Sequence, residues 1–141
     1  MIERGLIVGP AVLHYGVGRA WLDSEALKKV PGVKAVRDHD LYSHDTSISS
    51  KPRGTFDTVV ANYVLNVCPP DIRAGVIEEL KSLSDNVLVS VRGSGDKVKG
   101  EPKYDGVITS RKTFQKLYTS TDAQKLGELL FDGPTMKVVR L

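Results

Sequence analysis

Apolar residues in this sequence form short runs, and the most informative run lies in the middle of the chain. Residues 56–67 begin as a nearly continuous apolar run rich in β-branched residues and reach the polar residues Asn62 and Tyr63. Cys68 and two prolines follow. This pattern is typical of a strand buried on both faces of a parallel sheet, with a helix after it. Ligands of open α/β sheets bind beyond the carboxyl ends of such strands, so Asn62, Tyr63 and Asn66 are predicted at a binding site.

The same reasoning predicts the other elements. Strands are expected at residues 11–14, 33–36, 86–91, 107–109 and 136–141, and helices at 21–29, about 69–83 and 122–131. The expected apolar faces are Trp21, Leu22, Ala26 and Leu27 in the first helix, and Ala123, Leu126, Leu129 and Leu130 in the last. Residues 43–54 and 92–104 are predicted loops, and residues 113–118 are ambiguous. Strands alternating with helices predict right-handed crossovers and a three-layer α/β/α sandwich with a mostly parallel sheet.

Length and composition define a broad class. The chain has 141 residues, 40% of them hydrophobic and 26% charged, which predicts one globular domain spanning residues 1–141. Its single cysteine, Cys68, excludes an internal disulfide. No apolar run is long enough for a membrane span and no signal-peptide layout is present, so a cytoplasmic location is predicted. The net charge of +3 permits a polyanionic partner without requiring one.

A glycine-containing turn follows the first predicted strand. Gly16 and Gly18 stand between that strand and a helix, where residues without a β-carbon allow a tight turn and a close ligand. Amides at a helix N-terminus attract anionic groups. The motif is incomplete because Ala20 or Trp21 occupies the position of a third glycine, and a plain strand-to-helix turn is an equally good interpretation.

Two carboxylates follow the glycines by about 20 residues, at the end of the second predicted strand. Asp38 and Asp40 are placed to accept hydrogen bonds from ribose hydroxyls. Taken alone they also fit two solvated loop acids. In combination with Gly16 and Gly18 they favour a ligand that contains a nucleoside.

These motifs resemble class I S-adenosylmethionine-dependent methyltransferases, most closely their small bacterial and phage-type members. The similar segments are residues 12–20, His39-Asp40-Leu41-Tyr42, and residues 57–67, 89–93 and 106–116, in the order expected for the family. The resemblance implies a Rossmann-like fold, S-adenosylmethionine as cofactor, and methyl transfer beside Asn62 and Tyr63 as the catalytic residues. The cofactor-binding residues that it implies are His14, Tyr15, Gly16, Val17, Gly18, Arg19, Asp38, Asp40 and Asn62, with Asp40 preferred for the ribose.

The sequence departs from the family pattern at several points. His14 replaces the acid that ends the first strand; a neutral imidazole accepts one hydrogen bond, whereas a protonated one repels the ammonium of the cofactor. Asn62 and Tyr63 lack the two prolines and aromatic residue of enzymes that methylate exocyclic base nitrogens. Cys68 as a nucleophile and His39 with His44 as metal ligands are minor alternatives, because neither has the setting this chemistry requires.

Basic and aromatic residues alternate in the last third of the chain. They are Lys97, Lys99, Lys103, Arg111, Lys112 and Lys116, interleaved with Tyr104, Phe114 and Tyr118. Such a mixture suits phosphates and unstacked bases, although a solvated surface is the commoner role. Three hypotheses follow. The first is a minimal methyltransferase acting on an unidentified acceptor, with nucleic acid or a nucleotide as candidates. The others are an inactive adenosylmethionine- or nucleotide-binding module, and a basic nucleic-acid-binding protein on a degenerate methyltransferase scaffold.

Overall fold

The computed structural model describes residues 1–141, which form nine strands and four α-helices. In chain order these are β1 Ala11–Tyr15, α1 Trp21–Lys28, β2 Ala35–His39, α2 Thr46–Ser49, β3 Thr58–Asn62, α3 Pro70–Leu83, β4 Val87–Arg92, β5 Glu101–Lys103, β6 Gly106–Ile108, β7 Phe114–Gln115, α4 Ser120–Leu126, β8 Glu128–Asp132 and β9 Met136–Arg140. Short 3₁₀ turns cover Ile2–Arg4 and Leu65–Val67.

Six of the strands form one mixed sheet, in the order β2-β1-β3-β4-β9-β8. Strand β1 is parallel to both β2 and β3, whereas β8 and β9 are antiparallel. Helices flank this sheet, so the predicted α/β architecture with a mostly parallel sheet is confirmed. A second, small antiparallel sheet has the order β5-β6-β7.

The contacts within the chain define two compact units. The first comprises Met1–Asn62 and Leu80–Leu88, and therefore contains β1, β2 and β3. The second comprises Tyr63–Glu79 and Val89–Leu141, and contains the small sheet, α4, β8 and β9. No helix in the structure combines the length and the apolar character needed to cross a membrane.

The most strongly apolar predictions are confirmed. Strand β3 is buried at every residue except its last, Asn62, as expected for a strand covered on both faces. Helix α3 begins at Pro70, one of the two prolines after the central run, because proline suits the first turn of a helix, where its missing N–H is not needed. Strand β2 begins two residues later than predicted and includes Asp38.

The predicted apolar face of α1 is partly wrong. Trp21 and Leu22 are 62% and 64% exposed, and the buried residues of this helix are Ser24 and Leu27. Ser24 is buried because its hydroxyl lies between two polar side chains of β1 and β2. Hydrophobic spacing could not reveal this, because a polar contact determines which face of the helix points inward.

The predicted helix at residues 122–131 is also wrong in its second half. Helix α4 starts after a capping box of Thr119 and Asp122, but it ends at Leu126, and the next residues form β8. Strand β8 pairs with β9 in a hairpin, with a bulge between Leu129 and Phe131. A β-carbon on Gly127 would lie 2.1 Å from the carbonyl oxygen of Arg140, so glycine is required where these strands meet.

Three polar segments have more structure than their composition predicts. The loop at residues 43–54 contains α2, capped by the side chain of Asp45. The loop at 92–104 ends in β5, which forms a hairpin with β6, and the ambiguous segment 113–118 contributes β7. Short strands of this kind escape detection because pairing, and not composition, stabilises them.

Candidate functional site

The first unit contains the switch point of its sheet, where β1 lies between its parallel neighbours β2 and β3. The carboxyl ends of β1, β2 and β3 are followed by Gly16, Asp40 and Tyr63 respectively. A crevice beyond the strand ends at such a switch point is the common ligand site of open α/β sheets. The structure therefore places the predicted glycine turn, the predicted ribose acid and Asn62 at one edge.

The backbone amides of the glycine turn are already occupied. Gly16 and Val17 both donate to the carbonyl oxygen of His39, at 2.7 and 3.1 Å, and Gly18 donates to the Oδ2 atom of Asp40 at 2.7 Å. Gly16 and Gly18 have φ angles of 70° and 51°, so the turn does require glycine. The amides of Gly16, Val17 and Gly18 therefore already have acceptors within the protein.

Asp40 lies in the loop directly after β2, where its carboxylate joins two segments. Its Oδ2 atom accepts from Gly18 and its Oδ1 atom accepts from the amide of Tyr42 at 2.9 Å. Leu41 and Tyr42 expose 65% and 88% of their surface. The carboxylate faces the glycine turn and retains acceptor capacity, since each oxygen has two lone-pair positions.

Asp38 occupies a different environment from Asp40. It lies within β2, and its Oδ1 atom accepts a hydrogen bond from the hydroxyl of Ser24 at 2.6 Å. Ser24 also lies 2.8 Å from Nδ1 of His14. Because the serine proton goes to Asp38, His14 must donate from Nδ1, which leaves Nε2 as an unprotonated acceptor.

The ring of His14 is fully buried, and its Nε2 atom has no hydrogen-bond partner. Burial lowers the pKa of His14, and the negative charges of Asp38 and Asp23 oppose this shift without reversing it. The side chain is therefore neutral near pH 7. A buried acceptor without a donor is uncommon in folded proteins.

The other residues predicted to bind the cofactor at this turn are Tyr15, Val17 and Arg19. Tyr15 is buried with its ring 4.9 Å from that of His39, and Val17 is buried in the core. Arg19 is exposed. The side chains of Tyr15 and Val17 thus support the turn from within, and contact with a ligand would be through their main chain.

Sequence reasoning missed Asp23, in the first turn of α1. Its Oδ2 atom accepts a hydrogen bond from the side-chain amide of Asn62 at 3.1 Å, and its charge acts on His14. An acid in the first turn of a helix ordinarily signals only a favourable interaction with the helix dipole. Its proximity to Asn62, 39 residues away, depends on the tertiary fold.

Tyr63, the other predicted catalytic residue, has a strained backbone. Its φ angle is 59°, in the left-handed region that bulky side chains rarely adopt, and its amide donates to the carbonyl of Ser90 at 2.9 Å. Strain of this kind is concentrated at ligand sites. The side chain is 43% exposed and lines an open cleft of the second unit.

The structure explains the neighbouring polar residues without assigning them chemistry. Asn66 is buried. Its side-chain Nδ2 atom donates to the carbonyl of Lys116, and its Oδ1 atom accepts from the backbone amide of Arg92. Cys68 is buried, its thiol donates to the carbonyl of Val64, and burial raises its pKa, which disfavours a nucleophilic thiolate. Nδ1 of His39 contacts the carbonyl of Ile48, and no group of three or more potential ligands is arranged to hold a metal ion.

The predicted basic segment is only partly available to a partner. Lys97, Lys99, Lys103, Arg111 and Lys112 are exposed, together with Tyr104. Lys116 is buried and lies 3.1 Å from Asp105 and 3.9 Å from Asp122, so its inclusion in a nucleic-acid surface is wrong. Phe114 and Tyr118 are buried as well, which leaves Tyr104 as the exposed aromatic residue among those predicted.

Comparison with solved structures places this architecture among methyltransferases. Aligned over 97% of this chain and 81% of its own, the DhpI–SAM–HEP complex has a TM-score of 0.65 at 13% identity. The magnesium protoporphyrin IX methyltransferase ChlM from Synechocystis PCC 6803 with bound SAM has a TM-score of 0.57 at 16% identity, over 99% and 72% of the two chains. An S-adenosylmethionine-dependent methyltransferase from Mesorhizobium loti has a TM-score of 0.61 at 13% identity, over 98% and 95%.

Sequence comparison adds no assignment, since neither a protein-family model nor a curated protein matches the chain. At identities of 13–16% the structural similarity shows the fold. The chain therefore has the fold of class I S-adenosylmethionine-dependent methyltransferases, as the resemblance in its sequence implied.

Proposed function

We propose that this protein is an S-adenosylmethionine-dependent methyltransferase that binds its cofactor in the crevice of the first unit. The observation that carries the proposal is the hydrogen bond of 2.7 Å between Asp40 and Gly18. It places the carboxylate of Asp40 against a turn in which the amides of Gly16, Val17 and Gly18 already have protein acceptors. Such a site suits a ligand with hydroxyl groups and positive charge better than one with phosphates.

The residues of the crevice fit the groups of S-adenosylmethionine. Asp40 accepts from the ribose hydroxyls, and Asp23 supplies negative charge close to His14 and Asn62. The imidazole of His14 is buried and neutral, so it brings no positive charge that would repel the ammonium group. Asp38 orients this imidazole through Ser24. When bound, the cofactor supplies a methyl group on a positively charged sulfur.

Two further proposals concern the substrate and the setting of the protein. Nucleic acid or a nucleotide is a candidate acceptor, because the cations of the basic segment other than Lys116 are exposed. The phage-type subgroup and the cytoplasmic location also remain proposals, supported by the sequence pattern alone. The alternative function is a non-catalytic binding module. Such a module would bind the cofactor but would not transfer its methyl group.

Calorimetric titration with S-adenosylmethionine, S-adenosylhomocysteine and ATP tests the cofactor assignment. Both adenosyl ligands should bind and ATP should bind more weakly. Asp40→Asn should weaken binding by about tenfold or more, since hydrogen bonds to a charged group contribute about 1.5–3 kcal/mol. Asp85→Asn is the matched control, because Asp85 is exposed and precedes β4, away from the carboxyl ends of β1, β2 and β3.

Two results would contradict the assignment. One is the absence of heat and of any thermal shift with either adenosyl ligand at millimolar concentration. The other is binding of ATP in preference to both, which would show that the crevice recognises phosphates. Binding of the adenosyl ligands that Asp40→Asn leaves unchanged would place the cofactor elsewhere.

A further inference from the structure

The second unit contains an open cleft of about 480 Å³, to which the proposed function assigns no ligand. Its apolar lining is provided by Tyr63, Val67 and Met136. Pockets for small molecules commonly measure about 300–1,000 Å³ and combine an apolar surface with a few polar groups. The volume and the apolar lining suit a small molecule with a flat or apolar body.

The walls of this cleft are held by buried polar contacts. Asn66 accepts from the amide of Arg92 at 3.0 Å, and the amide of Lys116 donates to the carbonyl of Asn66 at 2.8 Å. Arg92 and Gln115, the neighbour of Lys116, both line the cleft. One buried asparagine thus connects the end of β4 to β7, which keeps these two lining side chains on a fixed backbone.

Another part of the lining depends on the close approach of two backbone segments. Gly93 donates to the carbonyl of Thr135 and Gly95 to that of Pro134, both at 2.8 Å. A β-carbon on Gly93 would lie 2.3 Å from the carbonyl oxygen of Pro134, so no other residue fits there without movement. Thr135 and Met136 are therefore positioned beside the segment that carries Arg92 and Asp96.

Arg92 is the only cation that lines the cleft, and only one edge of its guanidinium group is occupied. Its Nε and Nη2 atoms both lie 2.7 Å from Oδ2 of Asp96. No protein acceptor engages Nη1, and the side chain is 33% exposed. A guanidinium whose second edge is open presents parallel N–H donors that match a carboxylate or a phosphate group.

The cleft also lacks a general base. No histidine lines it, and Asp96, its only carboxylate, accepts from the amide of Lys97 at 2.8 Å and from Arg92. These two interactions lower the pKa of Asp96, which makes it a weak base. An acceptor that carries a proton on its nucleophilic atom would need such a base, whereas an oxygen anion needs none.

We propose that this cleft binds a small acceptor with an apolar body and a terminal carboxylate or phosphate-type group, and that an oxygen of this group receives the methyl. This inference rests on the proposed methyltransferase function. One oxygen lone pair forms the new O–CH₃ bond, the C–S bond breaks with its electron pair passing to sulfur, and the positive sulfonium becomes a neutral thioether. No proton is released, and Arg92 binds the other oxygen of the group.

Titration with three matched probes tests the proposal by binding alone. Benzoate and phenylphosphonate carry the two anionic groups on the same ring, and benzamide is the neutral analogue of benzoate. At least one anion should bind tenfold or more tightly than benzamide. Arg92→Gln should remove this preference, and the double variant R92Q/D96N should do the same without leaving an unpaired carboxylate. Arg111→Gln, which changes an exposed arginine outside the cleft, should keep it.

S-adenosylhomocysteine binding, measured on the same variants, separates the two proposals. If it binds but neither anion is preferred over benzamide, the acceptor proposal fails and the methyltransferase proposal stands. If it does not bind in the unaltered protein, the methyltransferase proposal fails and the cleft is not an acceptor site, even where the anion preference persists. Exclusive binding of a single-stranded oligonucleotide, unchanged in Arg92→Gln, would also overturn the small-anion acceptor.

Incubation with labelled S-adenosylmethionine and each anion tests the chemistry. With benzoate as acceptor, the transferred label should appear in a methyl ester that releases volatile methanol on treatment with base. With phenylphosphonate, the monoester should retain the label. Label on a nitrogen or carbon atom of a productive acceptor would refute oxygen methylation. If S-adenosylhomocysteine binds but Arg92→Gln methylates as fast as the unaltered protein at subsaturating acceptor, Arg92 does not bind the acceptor.

Discussion

The Oδ2 atom of Asp40 accepts a hydrogen bond of 2.7 Å from the backbone amide of Gly18, across 22 positions of sequence. This bond connects the turn after β1 with the loop after β2. The amide of Gly18 therefore donates to a carboxylate of the protein. The character of the crevice thus depends on one carboxylate and one amide.

Gly18→Ala should weaken cofactor binding more than it weakens the fold. Gly18 has a φ angle of 51°, so alanine costs about 1–2 kcal/mol of stability, although its β-carbon would be 3.8 Å from Asp40 and not clash. The methyl group would obstruct a ligand at the turn, and we expect about tenfold weaker binding of S-adenosylhomocysteine. Gly5→Ala is the control, because Gly5 has a similar φ angle of 64° and no atom lies within 4 Å of the β-carbon that alanine would add. An equal loss of affinity in both variants would refute a role for Gly18 in binding.

Tyr63→Gly should abolish binding to the cleft with little change in stability. Relief of the left-handed strain, about 1–2 kcal/mol, roughly offsets the entropic cost of glycine, about 1 kcal/mol. Tyr104 provides a matched comparison, because its φ angle is 52° and it does not line the cleft. Denaturant unfolding and benzoate titration should give similar stabilities for both variants and lost binding for Tyr63→Gly alone. Loss of binding in Tyr104→Gly would count against the assigned cleft.

His14 should make the protein less stable in mild acid. Burial lowers its pKa below the ordinary 6.5, so the unfolded chain binds more protons than the native one below that pH. Stability is therefore complete above about pH 6.5 and falls below it, by at most about 1.4 kcal/mol per pH unit, until the native pKa is reached. His14→Gln should flatten urea-unfolding free energies between pH 6.5 and 5, whereas His44→Gln, at an exposed position, should not. An unchanged slope in His14→Gln would contradict this account.

Asp105 should control a second, more acidic transition. Hydrogen bonds from Arg73, at 2.7 Å, and from Lys116 lower its pKa to about 2. Its stabilisation is therefore complete above the ordinary value of 3.8 and is lost as pH falls from there to about 2. Because its side chain is 36% exposed, we discount for solvent screening and expect Asp105→Asn to cost about 1 kcal/mol at pH 7. Asp85→Asn, at an exposed position, should cost less; equal costs would show that the contacts with Arg73 and Lys116 contribute nothing.

Gly93→Ala should destabilise the second unit and disrupt the cleft. Its β-carbon would lie 2.3 Å from the carbonyl oxygen of Pro134, and relief of such a clash costs about 1–3 kcal/mol. Gly75 lies in α3 with open space around it, so Gly75→Ala should instead stabilise the protein by about 1 kcal/mol. Thermal unfolding of both variants checks the contrast. A neutral Gly93→Ala would mean that the two backbones do not need this close approach.

Much of the candidate site was predictable because it follows from local rules. A buried run that stops at Asn62, a glycine turn after a strand and an acid after the next strand together indicated the crevice. Asp23 was not predictable, because its role depends on the distant side chain of Asn62. The same holds for Asp38, whose partner Ser24 lies on a helix.

By itself the sequence determined the strands and helices whose apolar pattern is strong, β1, β3, β4 and α3, and with them the α/β class. Tertiary structure decided the rest. Residues 128–132 keep helical spacing yet form β8, because α4 ends at its C-cap Gly127 and the chain then pairs with β9. Lys116 looks like a surface cation but is buried beside Asp105, because ion pairing compensates for its loss of water. The pattern of apolar residues in the sequence indicates which side chains are buried. Which polar side chains contact each other is determined only in the folded chain.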